Sequence, residues 1–340
     1  MAPTPAAAGP HRQYHWPPTA RSSGLQAFKY SVKDKYKKKD VRTVYAELRT
    51  RRLKLAPNAT KANADAMERL AKWQSLLPTT YDEALVYPRL YPLLAYIHAC
   101  LRPSDGYGHI IVDEAQDLRY LEWALLGRLN RGAFTVLGDL SQCRSEDGTT
   151  DWDRVPAITG RASAPWPVAE LVTGYRSTQS IMDFAGSVLP ASSPRRSESI
   201  LGGGIPPRIL NVKEEAHTLE VLALEQARLL SARYYPGSAA IVCADLTRLV
   251  EVAKQRRWKR EENEIWRSPA GNRVRLLDAD TCRGLEFDAT VVMEPAAFRR
   301  RGRSYGELYT ALTRANRELV VVHDKPLPAA LAHAAEGLAH

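Results

Sequence analysis

Two adjacent carboxylates, Asp113 and Glu114, follow directly on the apolar run Ile110-Ile111-Val112. A short branched run of this kind reads as a buried, parallel strand. The C-terminal ends of such strands form the crevice in which open α/β sheets bind ligands. Hard oxygen ligands suit magnesium, so Asp113 could hold Mg²⁺ directly or through water. Glu114, aimed at the same point, could orient or deprotonate a water. A second apolar run, Ala133–Leu137, ends in Gly138-Asp139-Leu140-Ser141-Gln142 and again places polar groups at a strand's C-terminal end. An acidic loop is the plain alternative for Asp113-Glu114 alone; the second strand end argues against it.

Three further clusters stand at strand-to-helix junctions. In Gly174-Tyr175-Arg176-Ser177-Thr178, the arginine precedes a helix start, where it can add a charge-assisted contact to a phosphate. In Thr281-Cys282-Arg283-Gly284-Leu285-Glu286-Phe287-Asp288, Gly284 lets backbone approach a ligand, and Glu286 could accept from a ribose hydroxyl. In Tyr309–Ala315, Arg314 lies on an otherwise small and apolar helix. That setting suits either a salt-bridge partner or an arginine finger for phosphoryl transfer. Each cluster taken singly reads more readily as structural; their joint occurrence in this order is what points to nucleotide chemistry.

The elements that must position these groups are legible in part. Met67, Leu70, Trp73 and Leu77 fall at helical spacing and predict an amphipathic helix over Asn63–Leu77. Thr80 and Glu83 form a capping box before the run Ala84–Leu101, whose Pro88 and Pro92 predict a kink or a break into two helices. A helix follows over Leu118–Leu129, with Leu121, Leu125 and Leu129 on one face. Polar residues 145–167 then mark a domain boundary near their end. Beyond it the pattern alternates. It predicts strands at Leu171–Thr173, Arg208–Val212, Ala239–Ala244, Val274–Leu277, Ala289–Met293 and Leu319–His323. Helices are expected over Thr178–Leu189 (capped by Ser177), Glu214–Ala232, Leu246–Arg256 and Ser304–Ala315, with loop at Pro190–Gly204 and basic, irregular chain over Arg257–Arg273. Such alternation implies a parallel sheet covered on both faces.

Composition narrows the partners. The 340 residues carry a net charge of +10, which favours a polyanion such as nucleic acid. Residues 26–55 are the most basic stretch, with Lys37, Lys38, Lys39, Arg51 and Arg52 among interleaved tyrosines. It reads either as a phosphate-tracking surface or as a solvated helix face. Cys100, Cys143, Cys243 and Cys282 are far apart, with no CxxC pair and no HExxH helix, so neither a disulfide framework nor a structural zinc site is expected. No apolar run reaches the roughly 18 residues of a membrane span. The Pro/Ala-rich start lacks the pattern of a secretory signal. A cytoplasmic protein with reduced thiols and no membrane partner is the expectation.

Five segments together carry a family resemblance: DEAQD at Asp113–Asp117, GDLSQ at Gly138–Gln142, GYRST at Gly174–Thr178, RGLEFD at Arg283–Asp288 and ALTRA at Ala311–Ala315. They resemble motifs II to VI of UvrD/Rep-like superfamily 1 helicases. The flank Tyr309–Leu331 and the segment around Trp152 look most like the HelD branch, which dislodges RNA polymerase from nucleic acid. The resemblance spans roughly residues 80 to 331. It implies two RecA-like P-loop NTPase domains of the α/β class, with ATP and Mg²⁺ between them. Asp113 would be the Mg²⁺ ligand and Glu114 the residue that activates water. Gln142 would sense the γ-phosphate, Arg176 and Arg314 would be fingers reaching it, and Gly284 and Glu286 would meet phosphate and ribose.

The sequence departs from that pattern at one decisive point. The family's G-x-x-x-x-G-K-[ST] loop has no counterpart, since no Gly-Lys pair exists and only about 110 residues precede Asp113. The adenine-contacting glutamine segment is likewise not recognisable. Gly174 stands where Asn is usual, and Cys282-Arg283 where the pair normally ends in Lys. Phosphoryl transfer is stabilised mostly by preorganised electrostatics, so a chain without the loop should have almost no ATPase activity. The loop's strand should be missing from the first sheet as well, leaving an unpaired edge or a rearranged sheet. The expected division is a disordered tail (1–24), a basic helical segment (25–105), an incomplete first RecA-like domain (106–165), a second RecA-like domain (166–332) and a tail (333–340). The expected protein is a truncated or degenerate helicase, inactive on its own. The alternatives are a binding module for nucleic acid (DNA ahead of RNA) or RNA polymerase, and a motor whose P-loop a partner chain supplies.

Overall fold

Prolines and one capping box set the helix boundaries that lead to the carboxylates. The computed structural model describes residues 40–50, 68, 71–102, 104–143, 148–149, 151–160, 165–190, 198–215, 217–262, 264–300 and 305–338. They fall into two units. One runs up to Leu140 and takes in Asp147–Val168; the other takes in Ser141–Glu146 and the chain from Ala169. Lys37, Lys38, Lys39, Arg51 and Arg52 lie outside the described residues, as do most of the basic stretch and the first part of the helix expected over Asn63–Leu77.

In the first unit, helix α1 (Val41–Thr50) buries Val41, Val44, Tyr45 and Leu48, and residues 71–76 are helical, with Trp73 buried. Helix α2 (Tyr81–Ala84) carries the expected capping box: Thr80 Oγ1 accepts from Glu83 N at 3.2 Å, and Glu83 Oε2 accepts from Thr80 N at 3.3 Å. The expected break then occurs. Pro88 opens a 3-10 turn (Pro88–Leu90), and Pro92 sits in the first turn of α3 (Tyr91–Leu101). A proline there loses no helical hydrogen bond.

Strand β1 (Tyr107–Val112) pairs in parallel with β2 (Asn130–Val136), with Ile110 opposite Phe134 and Val112 opposite Val136. These residues pack on the core made by α1, α3 and the connecting helix α4 (Tyr120–Leu129). The other face carries Tyr107, His109 and Ile111, all exposed. Among the described residues this sheet has two strands. The leucine stripe expected on α4 is only partly buried; Trp123, Ala124 and Gly127 face inward instead. Trp123 Nε1 donates to Thr149 Oγ1 at 2.7 Å. Gly127 lies so close to Thr159 of α5 (Val155–Thr159) that a Cβ would overlap its backbone. One hydrogen bond and one close approach therefore turn this helix.

The second unit opens with β3 (Thr173–Gly174), paired in parallel with β4 (Glu198–Ser199). The strand expected at Leu171–Thr173 is thus displaced, and Leu171 is 90% exposed. Helix α6 (Gln179–Gly186) has Thr178 at its N-cap. Ser177, expected to be that cap, donates instead to the Ala315 carbonyl at 2.7 Å.

Next in the chain come β5 (Arg208–Asn211), α7 (Val212–Glu215), α8 (Leu219–Arg233), β6 (Ala239–Cys243) and α9 (Thr247–Gln255). After them come β7 (Lys259–Arg260), β8 (Ile265–Arg267), β9 (Arg273–Asp278), β10 (Phe287–Met293), α10 (Gly306–Leu312), β11 (Ala315–His323) and α11 (Ala329–Glu336). One expected helix is here two, α7 and α8. Residues 333–336, expected as tail, complete α11.

The seven strands run in the order β5-β11-β10-β6-β9-β8-β7. The first five are parallel, and β8 and β7 add an antiparallel end. The chain expected to be irregular at Arg257–Arg273 thus contains two strands. One face packs on Leu222, Leu230 and Leu249, the other on Ile181, Phe184, Leu308, Leu312 and Leu331. This is the doubly covered parallel sheet that the alternation predicts. None of the four cysteines forms a disulfide. No described helix is long and apolar enough to cross a membrane.

Candidate functional site

In the first unit, Gln116 brings the two strand ends together. Its side chain is almost wholly buried. Its Nε2 donates to Glu114 Oε2 at 2.6 Å, and its Oε1 accepts from Asp139 N at 3.0 Å. One amide thus bridges the carboxylate after β1 and the Gly138-Asp139 turn after β2. The turn fits tightly: a Cβ on Gly138 would come within 2.6 Å of Gln116 Oε1 and 3.0 Å of the Trp152 ring. Thr149 closes the loop from below, accepting from Trp123 and donating to the Leu118 carbonyl at 3.0 Å. Glu114 itself sits at φ 51°, ψ 37°. A non-glycine residue in that left-handed region is strained, a condition that clusters at functional sites. Asp113 is exposed, with Oδ1 accepting from Glu114 N at 2.8 Å.

In the second unit, three segments converge through side chain–backbone bonds. Arg314, expected on a helix, lies in the turn past α10. The Ser177 hydroxyl ties Gly174–Thr178 to the far end of that turn through the carbonyl of Ala315, the first residue of β11. The Arg314 guanidinium ties that same turn to Arg283–Asp288, with NH1 donating to the Leu285 carbonyl at 3.1 Å and Nε to the Thr310 carbonyl at 3.0 Å. Arg176 Nε lies 2.6 Å from Glu286 Oε1, and its guanidinium stacks over Tyr175. Gly284 adopts φ +64° with open space where a Cβ would stand. The conformation, not crowding, calls for glycine there.

Each expected site residue that is described therefore has a place. Arg176, Gly284, Glu286 and Arg314 gather in the second unit, and Asp113 and Glu114 in the first. Gln142 belongs to the second unit, in a short 3-10 turn (Leu140–Gln142). Arg314 is 8% exposed and spends donors on carbonyls of its own unit. Glu286 is engaged by Arg176. Sequence reasoning missed Gln116 and Thr149. Gln116 had one signal, a buried-type position between two acids in DEAQD; Thr149 had none.

The residues fit the expected cofactors only in part. Asp113 and Glu114 suit a magnesium ion held through water, since such ions take one or two carboxylates and leave other positions to phosphate and solvent. No group of three or more His, Cys, Asp or Glu side chains among the described residues forms a dedicated metal cage. The described residues after β1 and β2 form short 3-10 turns, not the glycine loop and helix N-terminus that cradle a triphosphate.

No protein-family model matches the chain, and no curated protein matches it. Solved structures similar to parts of it include the C-terminal domain of a possible DNA helicase from Lactobacillus plantarum WCFS1. That domain is 25% identical over 48% of this chain and 96% of its own, with a TM-score of 0.36. The PRRSV helicase is 18% identical over 66% of this chain and 35% of its own, TM-score 0.36. Arterivirus nonstructural protein 10, a helicase, is 14% identical over 68% of this chain and 42% of its own, TM-score 0.34. The chain thus spans less than half the length of either viral helicase. At these TM-scores the likenesses are partial overlaps, and the functional reading rests on the residues.

Proposed function

We propose that this chain is a helicase-like protein of the UvrD/Rep type, on the HelD side of that group. It keeps the nucleotide-facing residues of two RecA-like domains and lacks the grip for a triphosphate. The observation that carries the reading is the Gln116 bridge, which holds a strained glutamate at one strand end against the glycine-aspartate turn of the next. In this reading Asp113 would hold Mg²⁺ and Glu114 would orient water, while Arg176, Gln142, Gly284, Glu286 and Arg314 would serve the phosphates and ribose. ATP would supply the phosphoryl group, but the described residues offer its phosphates no cradle, and turnover by the chain alone is not expected. The purified chain should hydrolyse no ATP above background, with or without DNA. Nucleic-acid-stimulated hydrolysis that disappears in Glu114→Gln would overturn this.

A second reading, a binding module without turnover, is favoured by the engaged arginines. Arg176 is paired with Glu286 and Arg314 is buried on carbonyls, so both are satisfied without a nucleotide. Nucleic acid, RNA polymerase or a P-loop-bearing chain would then be the partner. Steeply salt-dependent binding to DNA in the absence of ATP supports this reading, and nucleotide-dependent binding counts against it.

A further inference from the structure

The sheet of the second unit ends in β9, β8 and β7, and like charges face each other there. Lys259 stands directly opposite Arg267, and Arg267 directly opposite Arg273. Directly opposed residues on neighbouring strands share a face, so three cations form one row across three strands. Strands lie about 4.8 Å apart, which gives the row a span of about 10 Å. Arg275, two residues beyond Arg273 on β9, points to the same face and stands opposite Ile265. The neighbouring residues Trp266 and Val274 turn to the other face and are buried in the core. The strands are thus anchored from behind while Lys259, Arg267 and Arg273 face solvent and Arg275 is half-buried.

Directly opposed like charges destabilise a sheet. A single carboxylate offsets the row: Glu261 takes Arg267 Nε at 2.6 Å and Arg273 Nε at 3.0 Å. Those two guanidiniums, Arg267 foremost, hold its carboxyl below the usual carboxylate range. Glu264 is turned to Arg260, at 2.7 Å. Among the described residues, Lys259 and Arg275 make no ion pair, and neither do exposed Arg256 and Arg257, which lead into β7. Lysine on an edge strand can serve to block strand-to-strand aggregation. That purpose does not account for this row, because it runs inward to β9, the third strand from the edge.

We infer that this row, Lys259, Arg267 and Arg273 with Arg275 beside it, binds the phosphates of a nucleic-acid strand. Arginine forks match phosphate oxygens two at a time, and a polyanion lying across the strands relieves the repulsion that Glu261 only half offsets. The inference deepens the reading above by locating the nucleic-acid contact, and it rests on nucleic acid being the partner.

The test uses the full chain and fluorescently labelled single-stranded DNA, with binding followed by anisotropy over a salt series. Replacing Lys259, Arg267 and Arg273 together with Gln should weaken binding about tenfold or more and make the salt dependence shallower by about 2 to 3 in log–log slope. Glu261→Gln should tighten binding severalfold, because it releases two arginines; a damaged fold cannot produce that gain. If the chain binds DNA but neither variant shifts affinity or slope, the row is not the contact, and the reading of a nucleic-acid-binding protein survives. No binding to DNA or RNA overturns both. Binding to phosphatidylserine vesicles but not to nucleic acid overturns the inference in favour of a membrane surface.

Discussion

Strands β1 and β6 are both short, branched and parallel, yet their surroundings are opposite. Every residue of β6 is buried, because helices cover both faces of its sheet and strands flank it on both sides. In β1 only one face meets a core, and Ile111 is 69% and Tyr107 61% exposed on the other. Parallel strands ordinarily require cover on both faces. The difference shows that a strand's chemistry and its stability can be held by different means. In the second unit, packing positions the backbone that carries Arg176, Arg314 and Glu286. In the first, a local polar network around Gln116 and Thr149 holds Glu114, next to Asp113, in place beside a sheet with one face bare among the described residues.

The sharpest way to break that comparison is a matched pair of truncations. Ile241→Ala, at a wholly buried site of β6, should cost about 2–5 kcal/mol. Ile111→Ala, exposed on β1, should change stability by no more than about 0.5 kcal/mol. Urea unfolding followed by tryptophan fluorescence measures both. Equal losses would mean that the outer face of β1 is covered in solution.

Next in size is Gln116→Ala. It leaves the Asp139 N–H and the Glu114 carboxylate without their amide partner and should cost about 1–3 kcal/mol. Hydrogen exchange should report the loss in residues 107–140 and leave β6, β10 and β11 protected. Protection lost in both units alike would show that the network is not local.

Gly284→Ala should cost about 1–2 kcal/mol, because a Cβ is tolerated in space but not at φ +64°. Asn at this position should be milder. The smallest effect is expected from the thiols. Cys243 and Cys282 are buried, and Cys100 and Cys143 are partly exposed. A thiol reagent at neutral pH should therefore modify the latter two first. Burial pushes the Cys243 thiol up to about 12. A pKa raised on folding gives stability that is complete below the unfolded value of roughly 8.5 and is lost as pH rises through the folded value. Cys243→Ala should flatten the decline in stability on the alkaline side, in the window from about pH 9 to pH 12.

Much of this could be read in the residues. Thr80 and Glu83 announced a helix start, and Pro88 and Pro92 announced a break. The branched run before Asp113 announced a parallel strand, because those signals act within a few residues. The alternation after residue 200 gave the doubly covered sheet for the same reason. What escaped was set by distant partners. Ser177 looked like a cap but bonds to a carbonyl on β11. The leucines of α4 looked like its inner stripe until Trp123 and Gly127 found Thr149 and Thr159. Strand β7 hid because a lysine and an arginine occupy positions where a strand would normally show branched or aromatic residues, and β8 because its Ile265-Trp266-Arg267 is too short to show an alternation. At the site, carboxylates and arginines stood out by type. Gln116, which joins the two strand ends, did not, since an amide carries no charge to draw notice.

The order β5-β11-β10-β6-β9 has a consequence for how the polypeptide is made. The ribosome delivers β5 and β6 early, but in the finished sheet two other strands lie between them. Those two, β10 and β11, emerge last of the seven. Until they do, the nascent chain holds a sheet without its middle, and the wholly apolar strand β6 has an open flank. Closing that gap depends on contacts between residues far apart in sequence, which form slowly. Synthesis that stalls before residue 315 would strand the polypeptide in this state, a natural substrate for chaperones and, failing them, for proteases.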